Sequence, residues 1–341
     1  MDFANYLKKS KTLIDQQVEK ALEGFGKEYQ HPVLKPLFKE FKNASKGGKR
    51  VRGALVKLGF DLFSKVNSEE ILKVSAAIEI FQTSILSHDD IIDKSLTRRG
   101  KPSLYNVLGN NHLGVSRAIV LGDLGFFISF QILAQTKFPE NIKVEALKIF
   151  SNLTLKTGVG ELLDIELPKI KSIKEEEILQ IMIYKTAWYT FIGPLTLGAV
   201  LAGASKKDLK NLEKFGLFLG IAFQLQDDIL GVFGDEKDLG KSVTSDITDG
   251  KLTLLYSYAL ENSTQKQSQI LKKYYGKGKV TKKQIDLIKD VFAKTGALDN
   301  SLEQALDYSR NAKKIIPDLT NVPKMVKILE DLSDYIIERN K

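Results

Sequence analysis

Apolar residues recur along this chain at intervals of three and four, the spacing that lines one face of a helix. Near the amino end Phe3, Leu7, Ile14, Val18, Leu22 and Phe25 keep that register. The same period predicts helices over 2–25, 32–43, 50–64, 68–92, 112–136, 140–166 and 173–203. It continues over 205–234, 251–262, 264–275, 280–295, 298–315 and 320–340. Turn residues break it at Gly47-Gly48, Gly100-Lys101-Pro102, Asn110-Asn111, Pro168, Gly240, Gly250 and Pro317. No run alternates apolar with polar residues, so no sheet is expected. None of the breaks is long enough to separate domains, and several helices exceed twenty residues. The expected fold is all-α, a single large helical bundle over residues 1–341.

Three segments depart from the ordinary amphipathic pattern. Thr186 to Ala204 is uncharged and about long enough to span a bilayer. It also contains three Thr, three Gly and Pro194, which favours a buried, kinked core helix. The helices at 68–92 and 205–234 are each apolar for several turns and then meet adjacent aspartates. The first reads Ile78-Glu79-Ile80-Phe81-Gln82-Thr83-Ser84-Ile85-Leu86-Ser87-His88-Asp89-Asp90-Ile91-Ile92-Asp93, the second Phe223-Gln224-Leu225-Gln226-Asp227-Asp228-Ile229-Leu230.

Composition narrows the class. Of 341 residues 43% are hydrophobic and 27% charged, which excludes a disordered chain. A soft prior of about 150 residues per domain would divide this length in two, but no linker supports that. Cysteine is absent, so disulfides, thiolate metal sites and cysteine nucleophiles are excluded. The amino end has no unbroken apolar run of the export type, and a cytoplasmic location is expected. The 51 Lys and Arg against 42 Asp and Glu leave a charge of +9, open to nucleic acid, an anionic membrane or an anionic small substrate. The lysine-rich stretch Lys272, Lys273, Lys277, Lys279, Lys282 and Lys283 reads most simply as a solvated loop.

On a helix Asp89 and Asp93 share a face, with Asp90 about 100° round. Like charges crowded beside an apolar stretch are costly unless a cation joins them. Carboxylate oxygens suit Mg²⁺, which takes one or two of them and completes its shell with water and phosphate. A lone cluster of this kind is as readily a solvated helix end. The second cluster, Asp227 and Asp228 with Gln224 one turn before Asp228, shifts that balance. Two such helices facing each other would set carboxylates on opposite walls of a central cavity. Basic residues occur in short groups: Gly47-Gly48-Lys49-Arg50-Val51-Arg52 opening a helix, Arg98-Arg99, Lys185-Thr186, and Lys241 and Lys251. Singly each reads as surface. Together they have the character of anion holders around metal clamps.

These motifs in this order resemble the trans-isoprenyl diphosphate synthase, or polyprenyl synthetase, family. The resemblance runs from about Gly47 to Arg339 through GGKRVR, QTSILSHDDIID, RRGKPS, Gly122-Asp123, YKTA, FQLQDDILGVFGD and GKSVTSD with Gly250-Lys251. It implies an isoprenoid-synthase bundle that condenses isopentenyl diphosphate with an allylic diphosphate (dimethylallyl, geranyl or farnesyl) and releases diphosphate. It implies three Mg²⁺ ions, with Mn²⁺ as a substitute, held by Asp89 and Asp93 with Asp90 in support and by Asp227 beside Asp228. Arg98, Lys185, Lys251 and Lys241 would hold the allylic diphosphate. Lys49, Arg52, Gln82 and Arg99, assisted by Arg50, would hold isopentenyl diphosphate. Thr186 and Gln224 would lie near the reacting carbons, and His88 is expected to support the fold. A homodimer without a stable membrane anchor or nucleic-acid partner is implied. Two departures stand out: Gly231 replaces the third aspartate of the second motif, and Glu161 replaces Gln in the element Gly160-Glu161-Leu162-Leu163-Asp164.

In this family bulky residues four or five before the first motif stop chain growth early. Here those positions are Ile85 and Ser84, and Phe81 lies about 12 Å below Asp89 at 1.5 Å per residue. Phe81, with Phe126 or Phe127 from the next helix, is expected to form the floor. The expected product is geranylgeranyl diphosphate, with a longer or farnesyl product as the alternative. A class I terpene cyclase and a non-catalytic subunit of a heteromeric synthase are the remaining rivals. The first has no use for an isopentenyl site, and the second would have lost aspartates or basic ligands.

Overall fold

The computed structural model describes residues 1–66, 68–170, 174–234 and 245–338. The first elements are α1 (Phe3–Glu28), α2 (Leu34–Ala44), α3 (Val51–Phe63), α4 (Glu69–Ile92), β1 (Thr97–Arg98), β2 (Lys101–Pro102), α5 (Leu104–Val107), α6 (His112–Ala134) and α7 (Glu140–Glu166). A 3-10 turn, Leu167–Lys169, leads to α8 (Glu175–Ile181), a π-helical run Met182–Ile192, α9 (Gly193–Leu201) and α10 (Lys206–Phe233). The rest comprises α11 (Ser245–Asp249), α12 (Leu254–Glu261), α13 (Gln265–Tyr274), α14 (Lys282–Lys294), α15 (Ala297–Leu319) and α16 (Pro323–Ile337). The all-α expectation holds among the described residues, apart from one two-residue hairpin.

The chain packs as two compact units, residues 1–152 with 193–212, and residues 153–192 with 213–341. In the first, α4 packs against α1, α3, α5, α6 and α9. Surrounded in this way, it buries Ala76, Ala77, Ile78, Ile80 and Phe81 completely. A helix covered on several sides needs apolar residues around its girth, which explains its unbroken apolar turns. Helices α3 and α9 meet backbone to backbone. A Cβ on Gly198 would lie 1.8 Å from the Val56 carbonyl oxygen, and one on Gly59 would lie 2.1 Å from that of Leu195.

The β1–β2 hairpin was not expected, because strands of two residues leave no readable period. Its turn is Arg99-Gly100, with φ of 54° and 70°. Two successive left-handed residues match the twist of a two-residue hairpin. That geometry fixes where Arg98 and Arg99 leave the backbone.

In the second unit one core cluster joins Val232, Ile247, Leu271, Tyr275, Ile288 and Phe292. Another joins Ile178, Met182, Ile221, Leu225, Leu254 and Ala305. The helix expected over 173–203 is interrupted by the π-helical run, whose wider turn is rare and concentrates at functional sites. Pro194 does not end it but sits at the second residue of α9. Pro317, expected to punctuate, lies inside the last turn of α15. Residues Tyr189 to Leu201 are buried throughout, as a core segment requires. By length and composition α6 and α10 are each long and apolar enough to cross a bilayer; the most apolar stretch of α10 is 72% buried, that of α6 39%.

Candidate functional site

The first unit gathers the acidic and basic motifs of the chain's first third. The hairpin swings Arg98 back onto the end of α4, where its Nε donates to Asp90 (2.8 Å) and its Nη2 to Asp89 (2.9 Å). Burial raises the Asp90 carboxyl pKa, and Arg98 opposes that shift. Burial disfavours the charge on Arg98, but Asp90 and Asp89 outweigh it and hold its pKa above the ordinary value. Arg98, expected to hold a diphosphate, is thus held here by the aspartates. Asp93 caps α4 one turn beyond Asp89 and is exposed.

Arg99 turns the other way. Its guanidinium lies 3.0 Å from where a Cβ on Gly48 would stand, and its Nη1 approaches the Lys46 carbonyl at 3.5 Å. Gly48 has a φ of 77°, so a side chain there would be strained as well as crowded. Burial lowers the pKa of Arg99, and Arg50, Arg98 and Arg52 add repulsion. Several guanidinium groups are brought together here, and planar forks of that kind suit an anion such as a diphosphate.

Beneath these cations lies a buried carboxylate that the sequence reading did not single out. Glu79 accepts from the backbone N–H of Gly53 at 2.8 Å and from Arg50 at 3.4 Å. With its amide oriented by its neighbours, Gln82 donates to Glu79 at 3.1 Å and accepts from Arg52 at 2.9 Å. Glu79 therefore ties the start of α3 to Gln82, and Gln82 to Arg52. The signal was one acid in the otherwise apolar turns of α4.

Arg50 corrects the expectation made for it. Its side chain is buried, donating to Asp15 (2.7 Å), the Ser45 carbonyl (2.6 Å) and Glu79. It has no face left for a substrate diphosphate and acts as a brace before α3, with a left-handed φ of 59°. Lys49 beside it is exposed.

The second unit contains a small cavity lined by residues that include Asp164, Lys185, Thr186, Gln224, Asp228 and Lys251. The π-helical run supplies Lys185 and Thr186. Glycines let neighbouring helices approach it: a Cβ on Gly160 would lie 2.3 Å from the Lys185 nitrogen, and one on Gly220 2.3 Å from the Ala187 Cα. Lys185 pairs with Asp164 (2.5 Å) and with Glu161 (2.8 Å), so the variant Glu161 acts here as an ionic partner. Thr186 donates to the Gln224 carbonyl oxygen at 2.5 Å, and the Gln224 amide donates to Asp228 at 2.7 Å. Lys251 reaches the same Asp228 oxygen at 3.4 Å.

Burial raises the Asp228 carboxyl pKa to about 6, with Lys251 opposing and Asp246 reinforcing the shift. Burial works against the charge on Lys251, but Asp246, Asp228, Asp164 and Asp227 together hold its pKa well above normal. Asp246 was also missed. Its carboxylate fills the space beside Gly231, where an added Cβ would come within 2.0 Å of Oδ2. The glycine that breaks the aspartate motif thus makes room for another aspartate. That Oδ2 is buried with no hydrogen-bond donor among the described residues.

The five carboxylates of Glu161, Asp164, Asp227, Asp228 and Asp246 stand against the two ammonium groups of Lys185 and Lys251. Such an excess, with one orphaned oxygen, fits a divalent cation. No three described carboxylate or imidazole groups converge closely enough to hold a metal unaided. A hard ion such as Mg²⁺ takes one or two carboxylates and completes its shell with water and phosphate oxygens. Lys241 lies outside the described residues.

Ser84 and Phe81 are buried on α4, and Ile85 is half-buried. The Phe81 ring packs against Phe126 and Phe150, each with centroids 5.1 Å apart, and Phe150 stacks on Phe130 at 4.5 Å. Phe127 corrects the alternative floor partner: it is 73% exposed, because adjacent residues on α6 point about 100° apart. His88 contacts the Ile119 carbonyl at 3.2 Å and packs edge-on to Phe126.

The polyprenyl synthetase family model matches residues 35–293. The chain is 35% identical to a geranylgeranyl diphosphate synthase of Sulfolobus acidocaldarius over 86% of this chain and 88% of that protein. It is 32% identical to a short chain isoprenyl diphosphate synthase of Methanothermobacter thermautotrophicus, over 86% and 87%. Its structure resembles that of a geranylgeranyl pyrophosphate synthase from Corynebacterium glutamicum complexed with isoprenyl diphosphate and magnesium, with a TM-score of 0.89 at 28% identity, over 99% of this chain and 100% of that one.

Proposed function

This chain belongs to the polyprenyl synthetase family, and on that premise we propose that it condenses isopentenyl diphosphate with an allylic diphosphate to make geranylgeranyl diphosphate. It is a prenyltransferase, a trans-prenyl diphosphate synthase. The observation that carries the residue assignment lies in the second unit, where five carboxylates around Asp228 stand against the ammonium groups of Lys185 and Lys251. The family match, residues 35–293, takes in parts of both units, and we take residues 1–341 as one functional domain.

Asp89 and Asp93, supported by Asp90, would hold magnesium in the first unit. Asp227, with Asp228 and Asp246 behind it, would do so in the second. Bound magnesium supplies neutralisation of the negative charge that grows on the departing diphosphate. Arg98, Lys185 and Lys251 bind the allylic diphosphate in this reading. Lys49, Arg52 and Arg99 bind that of isopentenyl diphosphate, with Gln82 orienting Arg52. Thr186 and Gln224 present dipoles to the carbocation, each held in orientation by its hydrogen bond. The new carbon–carbon bond forms as the double bond of isopentenyl diphosphate attacks, and the released diphosphate is the acceptor for the proton then lost.

The decisive experiment incubates the protein with Mg²⁺, isopentenyl diphosphate and each short allylic diphosphate, and separates the products. Condensation is expected, with loss on chelation by EDTA. No product from any primer would overturn the reading. A terpene cyclase would instead consume the allylic substrate alone.

Phe81→Ala is expected to extend the product ladder beyond twenty carbons by opening the ring cluster with Phe126 and Phe150. An unchanged ladder on product chromatography would rule out this floor. The exposed side chains of Leu113, Val120 and Phe127 lie seven residues apart on α6 and form one apolar stripe. We assign that stripe to contact with a second copy of the chain. Phe127→Glu should shift the mass measured by light scattering from dimer to monomer, and a wild-type monomer would refute the assignment.

A further inference from the structure

One short stretch outside the cavity lining is strongly basic. Residues 262–285 contain seven Lys and no Asp, Glu or Arg. Without those seven, 44 basic residues stand against 42 acidic ones. That stretch alone carries a net charge of +7. Lys272, Lys273, Lys277, Lys279, Lys282 and Lys283 are all exposed. Among the described residues none of these six forms an ion pair with a carboxylate.

This is a built platform. The Thr264 and Thr281 side chains cap α13 and α14, each by a reciprocal bond with the glutamine three residues on. Between the helices the loop is tied down by Gly276 N–H to the Ile247 carbonyl and Gly278 N–H to that of Thr248, both at 2.9 Å. Tyr275 is buried, stacks on Tyr256 with centroids 4.2 Å apart, and donates to the Lys251 carbonyl at 2.6 Å. The lysines thus project from a segment bonded to the strip that carries Lys251 into the cavity. Gly276 and Gly278 adopt φ of 71°, which lets the chain reverse twice and turn Lys277 and Lys279 outward.

We propose that this lysine platform docks the protein reversibly on an anionic phospholipid bilayer. Four to eight clustered basic residues at a surface have the footprint of anionic lipid headgroups. Lysine ammoniums act as point charges and suit a laterally mobile carpet of phosphates. The absence of arginine, the usual reader of base edges, disfavours nucleic acid. The chemistry of the product gives the surface a use: a long prenyl diphosphate is an amphiphile that partitions into a bilayer. That use rests on the proposed prenyl transfer, but the docking itself does not.

The test is flotation of the full-length protein, without substrates, on phosphatidylcholine vesicles containing or lacking phosphatidylglycerol. Binding only to the anionic vesicles is expected, lost at 0.5 M salt. The variant K272Q/K273Q/K277Q/K279Q should bind them about 10²-fold more weakly or worse, while condensing substrates in solution at the wild-type rate. No binding to anionic vesicles at low salt would overturn the proposal, as would undiminished binding by the variant. Competition in which duplex DNA strips the protein from the vesicles at equal phosphate would overturn it in favour of nucleic acid. If vesicles bind but no condensation occurs in the separate activity assay, the functional reading fails and the docking stands.

Discussion

Asp89→Ala is expected to lower kcat/KM for condensation by about 10³-fold, about 4 kcal/mol of transition-state stabilisation at 1.36 kcal/mol per decade. Removing one preorganised group that stabilises developing negative charge costs ~10²–10³ in rate. Asp89 does this indirectly in the proposed reading, as a magnesium ligand, and it also steadies Arg98 (2.9 Å). Its loss therefore weakens two holders of the departing diphosphate at once. The fold should survive, because the pair is partly exposed and such pairs contribute only ~0–1 kcal/mol to stability. Asp290→Asn, which removes an exposed partner of Lys294 on α14, is the control and should leave turnover unchanged. Steady-state kinetics beside a thermal melt separates the two effects. A folded Asp89→Ala protein that condenses at more than a tenth of the wild-type rate would remove Asp89 from the metal site.

The second large effect concerns stability. Gly198→Ala is expected to destabilise the protein by ~3 kcal/mol or more, at the upper end of overpacking costs. The added methyl would stand 1.8 Å from the Val56 carbonyl oxygen and 2.8 Å from the Phe60 nitrogen. Backbone cannot rotate aside as a side chain can, so α3 and α9 must separate. Apolar packing along that crossing, including Leu55, Leu58 and Leu195, would loosen with it. Gly24→Ala is the counterpart: nothing lies within 4 Å of its added methyl, and helix propensity should give ~0.5–1 kcal/mol of stabilisation. Denaturant titration of both variants measures the difference. A midpoint for Gly198→Ala at or above wild type would mean that the helix crossing is not as close as described.

Much of the fold was legible because helices announce themselves locally. The period of apolar residues in α1, the acidic start of α4 after Ser68, and the threonine caps of α13 and α14 all lie within a few residues of the structure they specify. The motif chemistry was legible for the same reason: Asp89 and Asp93, or Arg98 and Arg99, are defined by spacing along one segment. The hairpin and the π-helical run were not. The hairpin is too short for a period, and the wide turn leaves the apolar count of 182–192 unchanged.

The sequence by itself determined which segments are helical, which residue types can hold metal and diphosphate, and the family to which the chain belongs. Tertiary structure alone decided which partners the members of each motif meet. Arg50 and Arg52 are near-equivalent in the sequence. One is consumed by Asp15, Ser45 and Glu79, whereas the other is oriented by Gln82. Phe126 and Phe127 are adjacent, yet one packs on Phe81 and the other is exposed. Asp246 stands beside Gly231 only because the chain returns there after α10. The reason is one of range. Spacing constrains neighbours three and four residues apart, while burial and pairing depend on atoms brought together from distant parts of the chain, by close packing that no local pattern records.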